Sequence, residues 1–133
     1  DARDQGAWVV GLAESGTAGA FHPCTPPPPW SFADMVEAIA KALGADIEPV
    51  WIDAEALLAE GLDGAIVPLW SEGVSEGVMA LDGSAAQRTG LTPRPVAETI
   101  RDTRDWMATA DWRREGSGLD PEREAELLDR LSG

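Results

Sequence analysis

The stretch that decides the fold is SFADMVEAIAKALG, residues 31–44. Its apolar side chains recur at the spacing of an α-helix. They are Phe32, Met35, Val36, Ile39, Ala40 and Leu43. Ser31 and Asp34 are spaced as in a capping box, although Asp stands where Glu or Gln is preferred. Gly44 is placed to end the helix, so the stretch predicts a helix that begins after Ser31 and ends before Gly44.

On either side of this helix, the sequence predicts further helices separated by short strands. Helices are expected at 4–14, at 53–58, from Ser84 to Gly90, from Pro95 and from Pro121, with Asp53, Ser84 and Asp120 as caps. Strands are expected at 19–22 and 47–52, and residues 61–79 are ambiguous because glycines interrupt two apolar pieces. The pattern predicts an α/β class with short strands and helix in excess, as a single domain over 1–133.

Composition excludes several classes of function. The 133 residues include 24 acidic and 10 basic ones, a net charge of −14, which argues against nucleic-acid binding. One His and one Cys cannot complete a structural zinc site or a disulfide, and the lone cysteine fits a reducing cytoplasm. No apolar run is long enough to cross a membrane. The chain begins with Asp1 rather than Met, so we expect it to be part of a longer or processed protein.

Four side chains are candidates for binding a small-molecule substrate. His22 and Cys24 stand where a predicted strand enters the proline loop, and a histidine there can act as a general base or bind a ligand because imidazole titrates near neutrality. The alternatives are a histidine satisfied by backbone and an inert thiol. Trp30 and Trp70 flank loops, where aromatic rings line pockets or seal the edges of a core.

The sequence also argues against a hydrolase and against a dinucleotide-binding protein. Residues 73–77 match the G-x-S-x-G nucleophile elbow, but no helix signal follows Ser75 and the chain's one histidine lies upstream, so a glycine-rich loop is favoured over a hydrolase. No glycine-rich phosphate loop occurs anywhere in the chain, so we expect no bound dinucleotide.

Several segments follow one another in an order that is typical of a known family. They are Asp1–Asp4 with Ala7–Val10, Gly19–His22, Ser31–Met35, Leu81–Ala86 with Gly90–Pro95, and Val96–Thr103. The ordered set resembles the C-terminal part of an extended short-chain dehydrogenase/reductase, of the NAD-dependent epimerase/dehydratase type, and is closest to its actinobacterial reductase-like members. Gly19–His22 resembles the family's Gly-x-Phe-Asn strand.

The resemblance implies a two-part oxidoreductase. An N-terminal Rossmann half would bind NAD(P) and carry a Tyr-x-x-x-Lys pair, and the C-terminal part would close over the substrate. We therefore expect this chain to be the substrate-binding portion without the Rossmann core. By itself it would bind no cofactor or metal and transfer no hydride. Its expected partners are a small-molecule substrate and the missing Rossmann half.

Three departures from the family's pattern bear on the substrate. His22 stands where the family usually has Asn, and the tetraproline loop, with Thr25 near the usual Gly, reshapes the segment beside the pocket. Nucleotide-sugar enzymes of the family carry an Arg for the diphosphate in the segment that corresponds to 71–80, and this chain has none there. A smaller, less anionic substrate is therefore favoured over a nucleotide sugar.

Two alternatives remain open at this point. The chain could be a stand-alone truncated relative, acting as a small-molecule-binding protein or as a cofactor-free cyclase or isomerase of secondary metabolism. His22 and Asp34 would then be the acid/base pair. It could instead be an interaction module that forms a homo-oligomer through apolar surface.

Overall fold

Helices dominate the computed structural model, which describes residues 1–26, 30–64, 67, 70, 81–110 and 119–131. In chain order, the helices in these ranges are α1 (Ala2–Ser15), α2 (Phe32–Leu43), α3 (Ala54–Ala59), α4 (Ser84–Arg88), α5 (Val96–Thr109) and α6 (Pro121–Leu131). They hold more than half of the described residues, which confirms the expected excess of helix. None of them is long and apolar enough to cross a membrane.

The predicted strands are wrong where the structure describes them. Residues 19–22 and 47–52 have no regular secondary structure, and no strand occurs in the described part of the chain. A strand needs a neighbouring backbone to complete its hydrogen bonds. Phe21 is instead held by its side chain, whose ring lies edge-on to Trp8 with 5.5 Å between the ring centroids. The fold is therefore α-rich rather than α/β in the ranges observed.

The capping of α2 is confirmed in full. The Ser31 hydroxyl accepts a hydrogen bond from the backbone N–H of Asp34 over 3.1 Å, and the Asp34 carboxylate accepts one from the backbone N–H of Ser31 over 2.8 Å. At the other end Gly44 has φ 63°, the left-handed conformation that glycine adopts without strain. The signals at both ends were local, which explains why the sequence predicted this helix correctly.

Of the other three predicted caps, Asp120 is confirmed, whereas Ser84 and Asp53 do not cap their helices through their side chains. The Asp120 carboxylate accepts a hydrogen bond from the backbone N–H of Arg123 over 2.8 Å, as expected for the cap of α6. Ser84, in contrast, is the first residue of α4 and does not cap it. The Asp82 carboxylate accepts from the backbone N–H of Ser84 over 2.9 Å, because an aspartate two residues upstream reaches that donor directly.

The chain divides into two compact units. Unit 1 comprises 1–46 and 75–110, and in it α2 packs against α5. Its core consists of Trp8, Ala86 and Leu91, with the partly buried Leu12 and Phe21 packed against it.

Unit 2 comprises 47–74 and 111–133 and buries Leu62 and Leu127. It also holds Glu60, whose carboxylate accepts hydrogen bonds from Arg123 over 3.1 Å and from Arg130 over 2.7 Å. The prediction of a single domain over 1–133 stays a prediction. The Ser75 motif lies outside the described residues.

Candidate functional site

A group of charged side chains joins the start of α1 to the segment that precedes α5. We call Asp1, Arg3, Asp4 and Arg94 the Asp–Arg cluster. The backbone N–H of Arg94 donates to Asp4 Oδ2 over 2.9 Å, and Arg94 Nε donates to Asp4 Oδ1 over 2.8 Å. Both carboxylate oxygens of Asp4 are thus bound by one residue, which fixes the separation of the two segments.

The same contacts determine the charge state of Asp4. Hydrogen bonds from the Arg94 side chain and backbone hold the pKa of the Asp4 carboxyl below its usual value of 3.8. Its side chain is only 11% exposed. Asp4 is therefore a fixed anion at neutral pH and is poorly suited to accept a proton from a substrate.

The second aspartate of the cluster is bound by different donors. Asp1 Oδ2 accepts hydrogen bonds from Arg3 Nη2 over 2.7 Å and from the Thr99 hydroxyl over 2.6 Å. Arg3 also donates to Asp102 over 2.5 Å, so the cluster extends onto α5. These contacts hold the carboxylates in position beside a surface depression.

The depression has a volume of about 200 Å³ and opens to solvent. Four polar residues, two prolines, one thiol and one leucine line it. They are Asp1, Asp4, Gln5, Thr25, Pro23, Pro93, Cys24 and Leu91. No Lys or Arg is among these residues, so the lining offers a pyrophosphate no cationic partner.

Cys24 reaches the rim of this depression, but His22 does not line it. The Cys24 thiol donates to the carbonyl oxygen of Leu81 over 3.4 Å, and the backbone N–H of Cys24 donates to the carbonyl oxygen of His22 over 2.9 Å. The His22 side chain is exposed. Of these two sequence neighbours, therefore, only Cys24 lines the depression.

Gly83 fits closely against the Cys24 segment. A Cβ atom on Gly83 would lie 2.8 Å from Cys24 Sγ and 3.0 Å from the Cys24 carbonyl oxygen. Only glycine permits this approach without displacing the backbone. The contact joins the turn before α4 to the wall of the depression.

Two further predicted residues lie elsewhere in unit 1. Asp34 caps α2, and hydrogen bonds from the Ser31 hydroxyl and backbone lower the pKa of its carboxyl. An aspartate held ionised in this way is a weak candidate for a general acid. Trp30 is about half exposed directly before that cap. Neither residue lines the depression.

Trp70 belongs to unit 2, where it is half-buried and its backbone N–H donates to the carbonyl oxygen of Val67 over 3.3 Å. Of the four predicted substrate-binding residues, the structure therefore brings only Cys24 to the depression. In the described ranges, no group of three or more His, Cys, Asp or Glu side chains could hold a metal ion.

Sequence reasoning missed the Asp–Arg cluster. Asp4 and Arg94 are 90 positions apart, and no local pattern links a helix N-terminus to a distant arginine. The one available signal was Arg94 itself, which stands between two prolines and is therefore held in an extended segment.

The sequence matches no protein-family model, and it has no detectable similarity to a curated protein or to a solved structure. The resemblance to the dehydrogenase/reductase family therefore stays a prediction that rests on the motifs themselves.

Proposed function

We propose that this chain is the substrate-binding portion of an oxidoreductase of the extended short-chain dehydrogenase/reductase class. In this proposal, nucleotide binding and hydride transfer depend on residues outside the chain. The observation that carries it is the Asp4–Arg94 contact, because it joins the first and the fourth of the segments that resemble the family.

Other contacts between these segments support the same proposal. Trp8 Nε1 donates to the Thr89 hydroxyl over 3.1 Å, and the Trp8 ring packs with Ala86 and Leu91. Phe21 is the third residue of the resembling segment Gly19–His22, and its ring packs against the same Trp8 ring. Segments that are distant in the sequence and that resemble the same family therefore meet in one core, which supports treating them as one structural part.

The small number of buried hydrophobic residues favours the interpretation that this chain is one part of a larger fold. Among the described residues, only Trp8, Leu62, Ala86, Leu91 and Leu127 are buried hydrophobic residues. Val9 and Val10 are more than half exposed on α1. Exposed apolar surface of this kind is typical of a face that another domain or subunit covers. We propose that the nucleotide-binding half covers this face of α1.

The residues present do not fit a nicotinamide dinucleotide. The sequence contains no G-x-G-x-x-G fingerprint, and the described residues that line the depression include two carboxylates and no Lys or Arg. Its volume of about 200 Å³ is also below the usual range of ligand pockets, roughly 300–1,000 Å³. We therefore assign no step of hydride transfer to this chain.

The same lining favours a small substrate without phosphate groups. The carboxylates of Asp1 and Asp4 are already bound by Arg3 and Arg94, and Gln5 and Thr25 offer neutral hydrogen-bonding groups. A neutral hydroxy or carbonyl compound suits these groups better than a nucleotide sugar. We also propose a cytoplasmic location, since the one cysteine is a free thiol.

Isothermal titration calorimetry with NAD⁺ and NADPH tests whether nucleotide binding requires residues outside this chain. We expect no measurable heat of binding to this chain, and a dissociation constant in the micromolar range would overturn the proposal. The gene upstream of the Asp1 codon provides the second test. We expect a continuous reading frame that encodes a glycine fingerprint and a Tyr-x-x-x-Lys pair, and a frame without both would exclude this function.

A further inference from the structure

A candidate binding surface lies in unit 2, in the segment that runs from Ile47, where the unit begins, into the start of α3. We call residues 47–55 the acidic–apolar segment. Three of its apolar side chains are strongly exposed, with Ile47 at 47%, Val50 at 43% and Trp51 at 62%. A tryptophan buries 150–250 Å² when it is covered, so leaving Trp51 in water is costly. This surface suits a partner with an apolar face.

Carboxylates alternate with these apolar side chains. Glu48, Asp53 and Glu55 are all exposed, and none of them makes an ion pair or a side-chain hydrogen bond with another described residue. Asp53 precedes α3 but does not cap it through its side chain. Three acidic groups next to an exposed tryptophan are therefore available to an incoming cation.

The charge of the whole unit adds to this local pattern. Unit 2 contains 13 acidic and four basic residues, whereas unit 1 contains 11 and six. Two of the four basic residues, Arg123 and Arg130, are already bound to Glu60. The excess of negative charge attracts cationic partners over distances of about one Debye length, roughly 8–10 Å.

We propose that the acidic–apolar segment binds a basic amphipathic segment of a partner protein. Apolar side chains of the partner would cover Trp51, Val50 and Ile47, and its Lys or Arg side chains would pair with Glu48, Asp53 and Glu55. Tryptophan is a frequent anchor of protein interfaces, and flanking charges raise the rate of association and disfavour partners of like charge. A second copy of this chain is disfavoured because it would bring like charges together.

This proposal does not depend on the proposed function. It concerns a surface of unit 2, whereas substrate binding was assigned to the depression in unit 1. A failure to bind basic peptides would leave the oxidoreductase proposal unchanged, and bound NAD⁺ would leave the peptide site unchanged.

The test uses a fluorescently labelled synthetic amphipathic peptide of Lys and Leu, with binding to the full chain measured by anisotropy. We expect Trp51→Ser to weaken binding about tenfold, the range found for anchor residues. The triple variant Glu48→Gln, Asp53→Asn, Glu55→Gln should weaken it about as much. Added salt should weaken the parent complex strongly and the triple-variant complex little.

Matched controls separate this site from a general effect of charge. The variant Glu14→Gln, Glu37→Gln, Glu98→Gln removes the same number of charges from exposed positions of unit 1. Trp106→Ser removes a tryptophan that is 55% exposed on α5. We expect both controls to bind within about twofold of the parent, since surface changes away from a site have small effects.

Three outcomes would overturn the proposal. They are an equal loss of affinity in the two triple variants, parent-like binding by Trp51→Ser, and equal affinity for a Glu and Leu peptide. Circular dichroism spectra that match the parent's confirm that each variant is folded. Since all substituted side chains are exposed, we expect such spectra throughout.

Discussion

The two units differ in how their polar side chains are used. In unit 1 the ion pair of Asp4 and Arg94 is partly buried, and Trp8 donates a hydrogen bond within the core. In unit 2 the charged contacts of Glu60 reach arginines that are more exposed. Partly buried pairs are screened less by salt than exposed pairs are. We therefore expect the two units to respond differently to pH and ionic strength.

The largest effect is expected in the core of unit 1. Trp8→Ala removes the ring that packs with Ala86, Leu91 and Phe21, and should lower the free energy of unfolding by about 3–5 kcal/mol. Urea unfolding followed by circular dichroism measures the loss. Trp106→Ala is the control and should change stability by less than about 0.5 kcal/mol because the side chain is exposed.

A somewhat smaller loss is expected in unit 2. Leu127 is 3% exposed on α6, and Leu127→Ala should cost about 2–4 kcal/mol through lost burial and the cavity left behind. The same urea experiment measures it, with the exposed Leu58→Ala as the matched control. An equal cost for both substitutions would mean that Leu127 contributes no more than a surface leucine.

The ion pair of Asp4 and Arg94 should make the free energy of unfolding depend on pH. Because the pKa of Asp4 is lowered by Arg94, its stabilising effect is present above the usual value of 3.8 and is lost as the pH falls through the folded pKa. We expect Arg94→Met to be clearly less stable than the parent at pH 7. The difference should shrink below pH 3.8, as measured by urea unfolding at both pH values.

Arg101→Met is the control for this experiment, since Arg101 is exposed on α5 and makes no ion pair with a described residue. It should follow the parent at every pH. A loss for Arg94→Met that stays constant from pH 7 to pH 2 would show that Arg94 acts through packing alone.

The smallest effect is expected at Glu60. Glu60→Gln weakens its contacts with Arg123 and Arg130 and should cost about 0.5–1 kcal/mol at low salt. At 1 M salt we expect the difference to vanish, because the Debye length falls to about 3 Å. Glu55→Gln removes an exposed carboxylate that makes no ion pair with a described residue, and it should show no loss at either salt concentration.

The helices and strands that the sequence predicted differ in whether residues within the element and its flanks specify them. α2 was predicted to the residue because Ser31, Asp34 and Gly44 provide its caps within the helix and its flanks. The strands at 19–22 and 47–52 were predicted wrongly, since β-branched and aromatic residues favour a strand only where another backbone can pair with it. Tertiary context decided that outcome.

The candidate site was predicted less well than the helices. Cys24 lines a depression, and its role as a substrate-binding residue stays a prediction, whereas Trp70 belongs to the other unit and Asp34 serves as a cap. The pairing of Asp4 with Arg94 could not be predicted, because an ion pair across 90 positions depends on how two segments approach each other. Charged residues at the ends of a helix are usually solvated.

The sequence by itself determined where the helices form, the caps of α2 and α6, the excess of negative charge and the lack of a phosphate-binding loop. Each of these properties depends on residues within a few positions of one another, or on composition alone. Only the tertiary structure decided that Asp4 binds Arg94, that Phe21 lies on Trp8, and that Trp51 remains exposed among carboxylates. Those properties depend on which distant segments meet, and side-chain burial is defined only after they have met.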